Sequence, residues 1–307
     1  CKRENNMTSI RVFLWNINGR SGKAKYVLPS RMILDQIMEC LYKKGDKERL
    51  PEIVILTEVI RNAPGYLELV TGLEELNYEW RCTRMKKGQN QVLIAINREC
   101  CDNNEVACKE INEIDYKNME NIPNYLQVTF SIGDRNISVV GCRILVGTDE
   151  KDYDDRVVQF YDVLVPEIKS ITESDVVIVG GDFNNASYYG ELKENEKPVS
   201  FNAVEKAYYK NGEKLLQYNY NLHRIQEKLF NEKYCMVDTG EATHKYISED
   251  HIFVKNANKS REVDIKWTFM KSKYGYEFDS IDAWKANNWK DIAGLPDHAI
   301  VLTDIEI

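Results

Sequence analysis

Apolar residues along this chain gather in short, largely β-branched runs, with helix-period segments between several of them. Residues 10–17 read as a first strand that carries Asn16 and runs on to Asn18 and Gly19. Over 30–42, Met32, Ile33, Ile37, Cys40 and Leu41 recur at helical spacing, with Ser30 in the capping position. Pro51 opens a second buried strand, 53–56, which ends at Thr57 and Glu58. Residues 91–96 are a third. Residues 125–130 alternate as a half-buried strand does, turn at 132–135 and pair back over 137–142, running into Arg143. A helical period spans 155–171 and leads into Val176, Val177, Ile178 and Val179.

That last run is the centre of the pattern. It reads as a buried strand and ends in Gly180-Gly181, where a backbone can turn sharply and approach a ligand. Asp182, Phe183, Asn184 and Asn185 follow at once. These residues are either the floor of an active site or an Asx-rich turn. Beyond them, 186–233 is rich in Lys, Glu, Asn and Tyr with an amphipathic helical period. It reads as a helical insertion with a solvated face within one domain spanning 8–307, with Tyr188, Tyr189 and Lys193 close enough to the site to reach substrate. Strands resume at 235–238, at 250–254 with Asp250 and His251 at its entry, and at 264–269. The final buried strand, 299–303, follows Asp297 and His298. There is no internal repeat and no low-complexity tract.

Composition narrows the chemistry. The chain has 307 residues, 43% hydrophobic and 29% charged, with a net charge of −8. That balance excludes a protein that coats nucleic acid by charge alone. It leaves room for an enzyme that touches a few phosphates through a basic rim, such as Arg20, Lys23, Lys25, Arg84, Lys86 and Lys87. No apolar run reaches the ~20 residues of a membrane span. The eight cysteines include no C-x-x-C pair and no zinc-ligand spacing, as expected of reduced thiols in a cytoplasm. No protein partner is inferred.

The polar groups at strand edges are Asn16, Asn18, Glu58, Arg143, Asp182, Asn184, Asp250, Asp297 and His298. Neither a nucleophile elbow nor a phosphate-binding P-loop is present. Hard oxygen ligands suit Mg²⁺ or Mn²⁺, amides bind phosphate without repelling it, and a His beside a carboxylate serves as acid, base or charge stabiliser. This kit fits metal-assisted attack of water on a phosphate ester.

In order, W-N-x-N-G, T-E, G-D-F-N, D-H-I-F and P-D-H resemble the endonuclease/exonuclease/phosphatase superfamily, the deoxyribonuclease I-like fold, from Arg11 to Thr303. The resemblance implies a four-layer α/β/β/α sandwich of two packed, mostly antiparallel sheets flanked by helices. It implies Glu58 as principal metal ligand, with Asn18 and Asp297 near the metal. Asn16 would orient Asp182, and Asp182 would position or deprotonate the water. Asn184 would hold the scissile phosphate, and His298 would contact a phosphate oxygen with Asp250 as its partner. The implied activity is Mg²⁺- or Mn²⁺-dependent phosphodiester hydrolysis, as a nuclease on DNA. A phosphatase or phospholipase-type enzyme on a small or lipid head-group substrate, and a non-catalytic scaffold, stand as alternatives. Two positions depart from the family pattern. Asn18 stands where many relatives carry an acid, and Arg143 where many carry His or Tyr. Arg143 either forks onto phosphate or pairs with Asp155 or another acid, and it cannot be a general acid near neutral pH. His251 is expected to face the core, and His223 and His244 are expected to be structural or surface residues.

Overall fold

The structure, a computed structural model, describes residues 9–19, 26–44, 47–85, 90–101, 106–111, 113–116, 119, 122–146, 152–185, 220, 222–237, 239, 243–244, 248–269 and 296–307. Two six-stranded sheets lie face to face. The first contains β1 (Ser9–Asn16), β4 (Ile53–Val59), β5 (Tyr78–Cys82), β6 (Gln91–Asn97), β13 (Asn258–Lys266) and β14 (Ile300–Glu306), in the order β13-β14-β1-β4-β6-β5. The second contains β7 (Ala107–Glu110), β8 (Asn124–Ile132), β9 (Arg135–Arg143), β10 (Val176–Asp182), β11 (Cys235–Val237) and β12 (Asp250–Lys255), in the order β11-β12-β10-β9-β8-β7. A small hairpin, β2 (Tyr42–Lys44) with β3 (Lys47–Arg49), stands apart.

Among the described residues each sheet holds a single parallel pair, β1 with β4 and β9 with β10, and every other pairing is antiparallel. Parallel neighbours need a crossover. The first is made by α1 (Ser30–Met38), which packs beside α2 (Tyr66–Glu75). The second is α3 (Asp152–Val158), continued by a π-helical stretch (Gln159–Leu164) into α4 (Val165–Lys169). A fifth helix, α5 (Leu222–Asn231), joins α4 on that outer face. The α/β/β/α layering expected from the motif order is present.

The long apolar runs follow from this layering, because both faces of the central strands are covered. Along β1, Val12 and Leu14 point into the layer between the sheets, where they meet Ile178, Ile252 and Val254. Phe13 and Trp15 point outward under α1 and α2, against Ile33, Ile37, Leu69 and Leu73. On the other sheet Val177, Val179 and Phe253 back onto Phe160, Leu164, Ile168 and Leu229. Most apolar side chains of these clusters are fully buried, and each contributes about 1.5–3 kcal/mol of transfer free energy. Cys40 and Cys142 are buried thiols within this packing, and burial pushes both up in pKa.

Several sequence expectations shift in detail. α1 ends at Met38 rather than 42, and Ser30 is its first residue, its hydroxyl 2.6 Å from the Gly65 carbonyl, instead of a cap. β13 spans Asn258–Lys266, earlier than the expected 264–269. α2 and β5 are not anticipated from the pattern, although Leu69, Val70 and Leu73 do share a buried face. Of the 186–233 stretch only Tyr220 and 222–233 are described; Tyr188, Tyr189 and Lys193 lie outside the described residues.

Gly180 and Gly181 lie within β10, not in a turn against a ligand. They make close packing possible. Gly180 pairs with Gly141 on β9. A Cβ on Gly180 would come within 2.8 Å of Ile55 Cδ1, and one on Gly141 within 2.6 Å of Val92 Cγ1, so glycine lets the first sheet approach. A Cβ on Gly181 would sit 1.9 Å from the Cys142 carbonyl oxygen. An Ile side-chain tip yields, whereas a neighbouring backbone does not. Gly181→Ala is therefore expected to destabilise by about 3 kcal/mol or more and Gly180→Ala by about 1 kcal/mol. Urea denaturation of the two variants checks this order, and equal midpoints would contradict it.

Candidate active site

The two parallel pairs deliver their carboxyl ends to one place. Asn16 closes β1 and Glu58 lies near the end of β4, while Arg143 closes β9 and Asp182 closes β10 opposite it in register. On the other side Asp182 pairs with Asp250, the first residue of β12. His298 arrives just ahead of β14, its carbonyl held by the Trp15 indole N–H at 2.9 Å. Every site residue expected from the motifs, with Asn18, Asn184 and Asp297 included, falls within the described residues. Of the basic loop residues only Arg84 does, and it is exposed beside Glu110.

Asp182 is the hub. Asn16 Nδ2 donates to its Oδ2 at 2.9 Å, as does Asn184 Nδ2, and the Asn184 backbone N–H donates to Oδ1 at 2.8 Å. Asn16 Oδ1 accepts the Asn18 backbone N–H at 2.9 Å, and Asn16 Nδ2 also lies 3.4 Å from Glu58 Oε1 and from His298 Nε2. The second amide hydrogen of Asn184 goes to the Ile144 carbonyl at 2.7 Å, and Arg156 donates to the Asn184 carbonyl. The side chain expected to hold phosphate thus has both amide hydrogens engaged, one of them on Asp182.

Arg143 is an ion-pair partner, but of Glu58 rather than Asp155. Its Nη2 is 2.6 Å from Glu58 Oε1 and its Nε 3.7 Å from Asp182 Oδ2. The other Glu58 oxygen accepts from Asn90 Nδ2 at 3.2 Å, and the same amide reaches the Gly19 carbonyl at 2.6 Å. Three site residues sit in the left-handed region: Asn18 at φ 50°, Glu58 at 59° and Asn184 at 43°. Asn tolerates that region; for Glu it costs about 1–2 kcal/mol. At Glu58 a break in register between Leu56 and Val59 turns the chain. Gly19 lies against the Glu58 carbonyl, where a Cβ would be 1.8 Å away.

His298 Nδ1 lies 2.7 Å from Asp250 Oδ2, the expected pair. His251 faces the core as expected, its Nε2 2.7 Å from Asn185 Oδ1 and its ring against Phe183. His244, expected to be a structural or surface residue, stands beside His298. Its ring stacks on His298 with centroids 4.3 Å apart and planes within 4°, and its Nδ1 lies 2.5 Å from Glu249 Oε2. Asp297 presents one oxygen to each ring, 3.7 Å from His244 Nε2 and 3.8 Å from His298 Nε2. The only sequence signal for His244 was a His next to a Thr, which carries no pattern.

Burial and the neighbouring Asp250 push the Asp182 carboxyl well above the usual range, against the opposing pull of His298 and Arg143. Burial would lower His298, but Asp250, Asp297 and Asp182 outweigh it and hold the imidazole charged above its ordinary range. This donor set is one of hard oxygens with surplus buried negative charge, which fits a divalent cation. Glu58 would share its carboxylate with Arg143, and a carboxylate has about four lone-pair sites with which to do so.

No protein-family model matches the chain, and no curated protein sequence matches it either. Solved structures do. TDP2 from D. rerio, complexed with a single-strand DNA product, covers 98% of this chain and 100% of its own at 12% identity and a TM-score of 0.58. ANGEL2, a 2′,3′-cyclic phosphatase in complex with adenosine-2′,3′-vanadate, covers 99% and 97% at 15% identity and a TM-score of 0.57. An AP endonuclease from Archaeoglobus fulgidus covers 96% and 98% at 14% identity and a TM-score of 0.53. The fold is the deoxyribonuclease I-like α/β sandwich.

The Glu249 carboxyl makes a pH prediction. Burial would raise it, but His244, His298 and Arg156 outweigh burial and depress it from 4.5 to about 2. A depressed carboxyl contributes stability above its unfolded pKa and loses it as pH falls through the folded value. Wild-type stability should therefore drop by roughly 2–3 kcal/mol from this group alone between pH 4.5 and 2. Glu249→Gln should be less stable at neutral pH and show a flatter acid limb in denaturation at stepped pH. An unchanged acid limb would remove the charge account of this pair.

Proposed function

We propose that the chain is a divalent-metal-dependent phosphodiesterase that hydrolyses phosphodiester bonds by attack of water, acting as a nuclease on DNA. The observation that carries this reading is the meeting of Glu58, the buried Asp182 and the His298–Asp250 pair at the ends of both parallel strand pairs. The likeness to a TDP2 structure solved with a DNA product supports the choice of substrate. Glu58 would hold the cation, with Asn18 and Asp297 near it. When bound, it would neutralise phosphoryl oxygens and increase the acidity of bound water.

Asp182 is the base of this scheme. Its elevated pKa brings its proton affinity closer to neutral, where a general base works best. The hydrogen bonds from Asn16 and Asn184 hold its carboxylate in one orientation. His298, charged and oriented by Asp250, lies ready to stabilise negative charge on a phosphoryl oxygen. Arg143 keeps a permanent positive charge beside Glu58 and Asp182. Removing such charge stabilisation typically costs about 10²–10³ in rate.

A phosphatase or phospholipase-type phosphodiesterase on a small or lipid head-group substrate is the second reading. The net charge of −8 and the comparable likeness to ANGEL2 favour it.

Hydrolysis of supercoiled plasmid, single-stranded DNA and RNA, beside phosphoinositide and sphingomyelin, separates the readings. We expect nicking of plasmid with Mg²⁺ or Mn²⁺, none with EDTA, and a loss of about 10²-fold or more in Glu58→Ala and His298→Ala. Turnover of only the small or lipid esters selects the second reading, and full activity in Glu58→Ala sinks the metal assignment. Freed from its guanidinium partner, Glu58 in Arg143→Ala should bind Mn²⁺ about tenfold more tightly by calorimetry. Unchanged affinity would show that the ion pair does not compete with the cation.

A further inference from the structure

The imidazole of His244 has no part in the scheme above, yet it is held as carefully as that of His298. The Thr243–His244 segment is joined to the residues around His298 by a β-bridge between His244 and His298 and by the Ala299 N–H on the Thr243 carbonyl at 2.6 Å. The Thr243 hydroxyl oxygen accepts the backbone N–H of both Glu249 and Asp250, each at 3.1 Å. These two consecutive carboxylates then take the Nδ1 atoms of the two stacked rings, Glu249 that of His244 and Asp250 that of His298. Tying both Nδ1 atoms leaves both Nε2 atoms pointing the same way. They face the two oxygens of Asp297 at 3.7 and 3.8 Å, beyond hydrogen-bond reach. His244 Nε2 is buried and, among the described residues, has no hydrogen-bond partner. His298 Nε2 has only the 3.4 Å contact with Asn16.

A histidine that serves packing alone is satisfied by its Glu249 bond and its stacking. Its second nitrogen then needs no common target with the ring beneath it. Here two parallel rings aim at one point, where a carboxylate already presents two oxygens, one to each ring. A phosphoryl group that takes the place of this carboxylate offers the same pair of oxygens. An imidazole whose Nδ1 hydrogen goes to a carboxylate binds an anion through a second N–H on Nε2.

Resting on the reading of this site as a phosphoester hydrolase, we infer that His244 is a second phosphate-binding residue. With His298 it forms a two-imidazole clamp on the non-bridging oxygens of one phosphoryl group. His244 Nε2 itself is buried, and a ligand reaches the clamp past Asp297, 27% of whose side chain is exposed. Glu249 is a positioning residue for it, as Asp250 is for His298.

Binding of inorganic phosphate and of dimethyl phosphate to the full chain, followed by ³¹P NMR and calorimetry, tests the clamp independently of turnover. Wild-type protein should bind both probes, and His244→Ala, which also strips Glu249 of its partner and so melts lower, should bind each at least tenfold more weakly where it is folded. His244→Gln, which fills the ring's space with an uncharged amide, is measured beside it and decides the matter where the alanine variant unfolds; it too should weaken binding. Equal affinity in wild type and His244→Gln, or no binding of either probe to wild type, overturns the clamp. His244-dependent binding in a protein that turns over no phosphoester keeps the clamp and removes the hydrolase reading. Turnover with KM unchanged in His244→Gln removes the clamp and keeps the hydrolase.

Discussion

Buried negative charge is the constraint on which the site depends. Glu58, Asp182, Glu249, Asp250 and Asp297 converge in a small volume, and Asp182, Glu249 and Asp250 are almost fully shielded from water. Isolated carboxylates there would cost several kcal/mol each. They persist because Arg143, Arg156, His244 and His298 are set among them and because backbone and amide N–H groups cover the oxygens. These compensating groups come from β9, from α3 and from the segments around His244 and His298, so the charges are tolerable only once the whole sandwich has formed.

The sandwich makes that meeting possible by a steric device. Gly141 and Gly180 remove side chains where the sheets press closest, and the side chains of Ile55, Val92 and Ile94 occupy the space. The sheets then bring the ends of the two parallel pairs together. At those ends the backbone enters a left-handed conformation at Asn18, Glu58 and Asn184. Strain of this kind persists only where surrounding contacts hold it. Here Asn90, Gly19 and the break in the β4–β6 ladder hold Glu58.

Arg143 and His244 give this site its own character within a common fold. In the proposed scheme a guanidinium beside Glu58 supplies fixed charge where a titratable group would supply a proton, and leaves acid and anion chemistry to the imidazoles. The paired histidines and their adjacent carboxylates are the part of the site best placed to take that burden.

Much of this was legible in the sequence. Runs of β-branched residues ending in polar ones marked β1, β4, β9 and β10, and one opening on polar ones marked β12, because a strand covered on both faces is apolar along its length. The motif order placed Asn16, Glu58, Asp182, Asn184, Asp250 and His298 in one site, and the Asp250–His298 and Asn16–Asp182 contacts follow it. The partner of Arg143, the engagement of Asn184 by Asp182, the packing role of Gly180-Gly181 and the place of His244 were decided by tertiary structure alone. The physical reason is common to all four. Each depends on the spacing and relative angle of groups far apart in the chain, and local pattern records which face a residue occupies but not what stands opposite it.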